Sequence, residues 1–119
     1  MLLIVDPDPA WRELLADFFG LHSMETLHAP SGEEAIRALS SGPDLIILNL
    51  ALPDIRGIEL VRKIHGLSSG AAPPVLALGG TTLSSAEETL LSGRLKKPVN
   101  LEELLSRVKD RLKSVALPE

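Results

Sequence analysis

The 119-residue chain has no cysteine, which excludes disulfides and thiolate metal sites and gives no sign of an oxidising compartment. It also has no tyrosine, two phenylalanines and one tryptophan. An aromatic ladder for stacking bases is therefore missing, and so is any long Lys/Arg cluster. With a net charge of -4, direct nucleic-acid binding is not expected. No apolar run reaches the roughly 18–20 residues needed to cross a bilayer. The N-terminus enters an apolar stretch without a basic leader or cleavage site. These absences lead to the expectation of one small cytoplasmic domain spanning residues 1–119, with a core that needs no staples.

Charge is present but unevenly placed. Residues 1–54 carry nine acidic and two basic side chains, whereas residues 55–119 carry seven acidic and ten basic ones. Solvated faces commonly produce such asymmetry, which also has the capacity to orient a partner.

Apolar runs alternate with helical periodicities. Leu2–Val5 reads as a buried strand ending at Asp6. Asp8 is placed to cap a helix with Pro9 in its first turn. Trp11, Leu14, Leu15, Phe18 and Phe19 form its apolar face, and Gly20 lies near its end. Met24–Leu27 is a weaker strand. Ser31 and Glu34 form a capping-box pattern before Ala35, Ile36 and Leu39, and Gly42-Pro43 breaks that helix. The run Asp44–Asn49 is the central strand, followed by a helix over Gly57–His65. Gly70–Pro74 is a linker by composition and leads into the strand Val75–Leu78. Ser84 with Glu87, or Ser85 with Glu88, opens a short helix bearing Ala86, Leu90 and Leu91. A brief strand at Arg94–Lys96 precedes Pro98. Asn100 caps a last helix striped by Leu101, Leu104, Leu105, Val108, Leu112 and Val115. Buried strands separated by helices indicate a parallel sheet covered on both faces.

In such sheets ligand sites lie beyond the carboxyl ends of the strands, which places Asp6, Asn49, Gly79 and Lys97 around one crevice. The alternatives are weak. Gly79-Gly80 lacks a full phosphate-loop pattern, His22, His28 and His65 lack metal-ligand spacing, and no catalytic triad is defensible from sequence. No enzymatic activity is expected.

Three segments in order carry a resemblance: Asp6-Pro7-Asp8-Pro9, the stretch from Pro43 through Asn49 to Gly57, and Lys97-Pro98. Together, from Leu2 to about Val115, they resemble bacterial response-regulator receiver domains. The resemblance implies the flavodoxin-like (βα)5 fold, three-layer α/β/α, with a five-stranded parallel sheet of order 2-1-3-4-5. It also implies a site that departs from the family pattern. Asn49 stands where receivers carry the aspartate that takes a phosphoryl group, and a neutral amide oxygen is no substitute for an ionised nucleophile. Pro7 replaces the second acidic residue, leaving Asp6 and Asp8 as the carboxylates near a site that normally holds magnesium through hard oxygens. Gly79 replaces a Thr or Ser hydroxyl, and Arg94 replaces a switch aromatic. Lys97 is retained, and is expected to neutralise Asp6.

The resemblance therefore implies a pseudo-receiver. Such a domain would act without phosphorylation, metal or cofactor, as a protein–protein interaction module in bacterial signal transduction or transcriptional regulation. Its expected partner is a signalling or regulatory protein, or a second copy. The face expected to engage it comprises the fourth helix, fifth strand and fifth helix, with Arg94, Lys96, Arg107 and Arg111 at the surface. Two alternatives stand beside it: phosphorylation at a displaced aspartate such as Asp54, and a small-ligand sensor using the vacated crevice. The interval from Gly79 to Lys97 is short for the family, so a short or displaced fourth helix is expected.

Overall fold

The computed structural model of the protein describes residues 1–68, 70–79 and 82–116. Its elements follow the alternation: β1 (Leu2–Val5), α1 (Pro9–Gly20), β2 (Thr26–Ala29), α2 (Gly32–Ala38), a 3-10 turn (Leu39–Ser41), β3 (Leu45–Asn49), α3 (Gly57–Leu67), β4 (Val75–Leu78), α4 (Ser85–Glu88), β5 (Gly93–Leu95) and α5 (Leu101–Ala116). The five strands form one sheet of order β2-β1-β3-β4-β5, parallel throughout.

Successive side chains of a strand point to opposite faces, and the core divides accordingly. Leu3, Val5, Ile46 and Leu48 face Ala35 of α2 and Ile58, Val61 and Ile64 of α3. Leu2, Ile4, Leu45 and Ile47 face Leu15 and Phe19 of α1 and Leu104, Leu105 and Val108 of α5. Both faces of every central strand are buried, which is why β1, β3 and β4 read as unbroken apolar runs.

The caps follow the local sequence. The Asp8 carboxylate accepts from Ala10 N–H at 3.0 Å, with Pro9 opening α1. Ser31 Oγ accepts from Glu34 N–H, and Asn100 Oδ1 accepts from Glu103 N–H at 2.9 Å. Of the two registers open for α4, Ser84 with Glu87 is realised as a reciprocal capping box. The helix it opens has only four residues, as the short Gly79–Lys97 interval led one to expect.

Several boundaries move. β2 begins at Thr26 rather than Met24, because Ser23 turns the chain at φ 61° and Met24 N–H bonds back to Phe19 O at the end of α1. β5 starts one residue earlier, at Gly93, and α3 runs on to Leu67. Leu14, expected in the apolar face of α1, is 46% exposed. Leu15 and Phe19 fill the contact with the sheet, while Trp11 and Phe18 pack at its margin. Val115 carries the expected stripe of α5 to a side chain outside those described.

The connection after β3 is closed by two backbone contacts. Ala51 pairs with Arg56 as an isolated antiparallel bridge, and Gly57 N–H donates to Leu50 O at 3.0 Å. This small closed loop sets the start of α3 directly under Leu50.

Candidate functional site

The carboxyl ends of β1 and β3 and the chain leaving β5 surround a pocket of about 380 Å³. Asp6, Pro7, Asp8 and Trp11 line it from the first loop and helix, Asn49 from β3, and Lys97, Pro98 and Val99 from the segment after β5. Five of the six residues expected at the strand-end site are thus brought together. Gly79 is the exception: it lines a neighbouring cavity with Thr82, Glu88, Arg94 and Lys96, and Lys97 borders both. Thr81 and Gly80 lie outside the described residues.

Asp6 is 3% exposed and is the one polar residue among the described buried positions. Its carboxylate is held by neutral donors. Asp8 N–H donates to Oδ1 at 2.8 Å, and Asn49 Nδ2 donates to Oδ2 at 3.1 Å. Asn49 Oδ1 in turn accepts from Ala51 N–H at 2.8 Å. The amide is therefore used on both sides, with its nitrogen toward Asp6 and its oxygen turned away to the backbone.

The ion pair expected between Lys97 and Asp6 is not formed. Among the described residues Lys97 makes no ion pair and is exposed. Its stem runs past Gly79, where an added Cβ would stand 4.0 Å from Lys97 Cε. The cation nearest Asp6 by hydrogen bonding is one that sequence reading passed over: Arg12 Nη1 donates to the Asp6 backbone oxygen at 2.6 Å. The signal available was position, since Arg12 sits one helical turn from Asp8. Because Lys97 compensates no buried charge, Lys97→Ala is expected to shift stability by less than about 0.5 kcal/mol, as surface substitutions do. Urea denaturation of the two proteins checks this, and a loss above about 2 kcal/mol would restore the charge-neutralising role.

A magnesium site does not fit these residues. Pro7 offers no side-chain oxygen, Asn49 presents a nitrogen toward Asp6, and both Asp6 oxygens already accept hydrogen bonds. Hard divalent cations need several converging oxygens. Among the described residues no group of three or more His, Cys, Asp or Glu side chains is arranged for a metal.

Asp54 lies elsewhere. Its two oxygens accept from Gly32 N–H at 2.9 Å and Glu33 N–H at 3.0 Å, so it caps α2 from the loop before α3. Gly32 permits the approach, because a Cβ there would meet Ile55 Cγ2 at 2.3 Å. The Gly32 and Glu33 amides hold the Asp54 carboxyl below its ordinary value. A carboxyl with a lowered folded pKa stabilises the fold above the unfolded pKa, and that contribution fades as pH falls through the folded value. Asp54→Asn is thus expected to lower the denaturation midpoint at pH 7. The gap from wild type should close as the pH is brought below the ordinary aspartate range. A pH-independent gap would show that the charge of Asp54 is not what matters.

On the β5 side, Arg94 Nη1 pairs with Glu88 and its Nε donates to Gly79 O at 3.3 Å. Arg107 pairs with Glu103, and Arg111 donates to Ser92 O. Lys96 is exposed. Arg94 thus ties β5 to α4, and Arg111 ties α5 to the residue before β5, while the Arg107 pair stays within α5. The histidines do not gather: His22 stacks edge-on against Phe18, and His28 sits on the edge strand β2 beside Thr26.

Residues 2–109 match the family described as response regulator receiver domain. The transcriptional regulatory protein TrcR of Mycobacterium tuberculosis is 29% identical over 116 residues, covering 94% of this chain and 45% of the relative. The response regulator MprA of Mycolicibacterium vanbaalenii is 32% identical over 119 residues, covering 94% of this chain and 50% of the relative. The chain thus spans about half the length of these curated relatives. Among solved structures, a two-component response regulator from Clostridium difficile superposes with a TM-score of 0.85 at 27% identity, covering 98% of each chain.

Proposed function

The chain belongs to the response regulator receiver domain family, and on that premise we propose that it signals without being phosphorylated. In this reading it is a pseudo-receiver: a cytoplasmic module that binds a protein partner in bacterial signal transduction or transcriptional regulation. The observation that carries the reading is the double engagement of the Asn49 amide. At the acceptor position a neutral side chain donates to Asp6 and spends its oxygen on Ala51 N–H, so Asn49 offers the pocket no nucleophilic oxygen. Pro7 supports the reading by withholding a metal ligand, and the capping role of Asp54 takes away the displaced acceptor.

The partner face is the one built by α4, β5 and α5. No helix among the described residues is long and apolar enough to cross a membrane. The contacts of Arg94 and Arg111 link the elements of that face, with Lys96 standing out from it.

Intact-mass measurement after incubation with acetyl phosphate and Mg2+ tests phosphorylation directly. The wild-type protein is expected to gain no acid-labile phosphoryl group. A stoichiometric adduct that disappears in Asp54→Asn would replace this reading with a displaced acceptor. The face is tested by light scattering and by capture with the tagged chain, with and without Lys96→Glu combined with Arg107→Glu, which leave the half-buried Arg94 in place. Association that ignores phosphodonor and weakens in the double variant supports the assignment. Association unchanged by the reversal rejects that face.

A further inference from the structure

The pocket at the strand ends holds opposite charges that do not meet. Asp6 is a buried carboxylate supported, among the described residues, only by neutral donors. Asp8 lies beside it at the surface, with one oxygen used to cap α1. Lys97 borders the same pocket, exposed, and among the described residues it forms no ion pair. Between the two ends run the apolar surfaces of Trp11, Pro98 and Val99. A buried charge without a counter-ion is costly, and a lone anion and a lone cation each meet one repulsive end of this pocket.

We propose that this pocket binds a small zwitterion with an apolar side chain, of the size and charge pattern of a free hydrophobic α-amino acid. Its ammonium group faces the Asp6–Asp8 side, its carboxylate meets Lys97 on the opposite side, and its side chain lies against Trp11 and Val99. The volume of about 380 Å³ is at the lower end of small-molecule pockets and is ample for an amino acid. Charge-assisted hydrogen bonds at both ends supply the orientation. The proposal is independent of the phosphorylation reading: acetyl phosphate labelling of the wild type would remove that reading and leave this binding to be judged on its own titration.

The test is calorimetric titration with three probes that share the isobutyl group: L-leucine, 3-methylbutan-1-amine and 4-methylpentanoate. L-Leucine is expected to bind at least about tenfold more tightly than either probe lacking one charge, the ratio that one charged hydrogen bond supplies. Lys97→Met should abolish the preference of L-leucine over the amine while retaining amine binding, and its unaltered fold is checked by its denaturation midpoint. Asp8→Asn should weaken L-leucine and the amine together. No heat from any probe up to about 1 mM would overturn the proposal. So would equal binding of L-leucine and 4-methylpentanoate, or a full preference for L-leucine persisting in Lys97→Met.

Discussion

Asn49→Asp is expected to destabilise the protein by roughly 2–4 kcal/mol at pH 7 in metal-free buffer, although it changes one amide to a carboxylate of equal size. The substitution converts the 3.1 Å hydrogen bond from Nδ2 to Asp6 into a contact between two oxygens. Asp6 is nearly inaccessible, so the second negative charge is poorly screened, and Lys97, which borders the same pocket, makes no ion pair with Asp6 that could offset it. Two carboxylates in one site cannot both ionise freely, and the pair takes up a proton more readily than in the unfolded chain. A carboxyl whose folded pKa is raised loses stability as the pH rises from its unfolded value through the raised one. The deficit should therefore be small near pH 4 and complete at pH 7. Millimolar Mg2+ should recover part of it in the variant and leave the wild type unchanged. Phosphodonor should label the variant slowly and incompletely, because Pro7 and Gly79 still withhold their oxygens. Rapid, near-complete labelling would mean that the neighbouring departures matter little.

Gly57→Ala is expected to destabilise by roughly 2–4 kcal/mol, combining overpacking with a strained or lost hydrogen bond. A Cβ at this position would lie 2.6 Å from Leu50 Cα and 2.8 Å from Leu50 O. Both are backbone atoms, so no rotamer change relieves the clash. The loop has to open, which disturbs the Gly57–Leu50 hydrogen bond and the Ala51–Arg56 bridge together. Gly66→Ala in the same helix is the control. Nothing lies within 4 Å of its added Cβ, and the better helix propensity of alanine should add about 0.5–1 kcal/mol. Equal midpoints for the two variants would show that the contact with Leu50 yields easily.

The parts of this fold that were legible in the sequence are those encoded within a few residues. Asp8-Pro9, Ser31, Ser84 with Glu87 and Asn100 each declare a helix start through chemistry that acts two or three residues away. The buried strands declare themselves by composition, and the strand ends then place Asp6, Asn49 and Lys97 near one another. What the sequence did not show is orientation and long-range partnership. Lys97 and Asp6 share a pocket without joining, and the lysine stem runs beside Gly79 instead. Arg12 bonds the backbone of Asp6, a contact to which side-chain patterns are blind. Asp54 looked like a spare carboxylate in a loop, and its true partners are amides more than twenty positions upstream. The start of β2 was misplaced by the left-handed turn at Ser23, which no local rule demanded of a serine.

The bond pattern of Asp54 also ties together two stretches of chain that opening motions would otherwise treat separately. The first turn of α2 and the loop closing onto α3 share one carboxylate, so neither can swing away without stripping the other of its cap. In an amide exchange experiment the Gly32 and Glu33 protons belong with that of Gly57, as one reporter of a single opening event. Neutralising Asp54 would split that event in two, and the α2 amides would then exchange on their own clock.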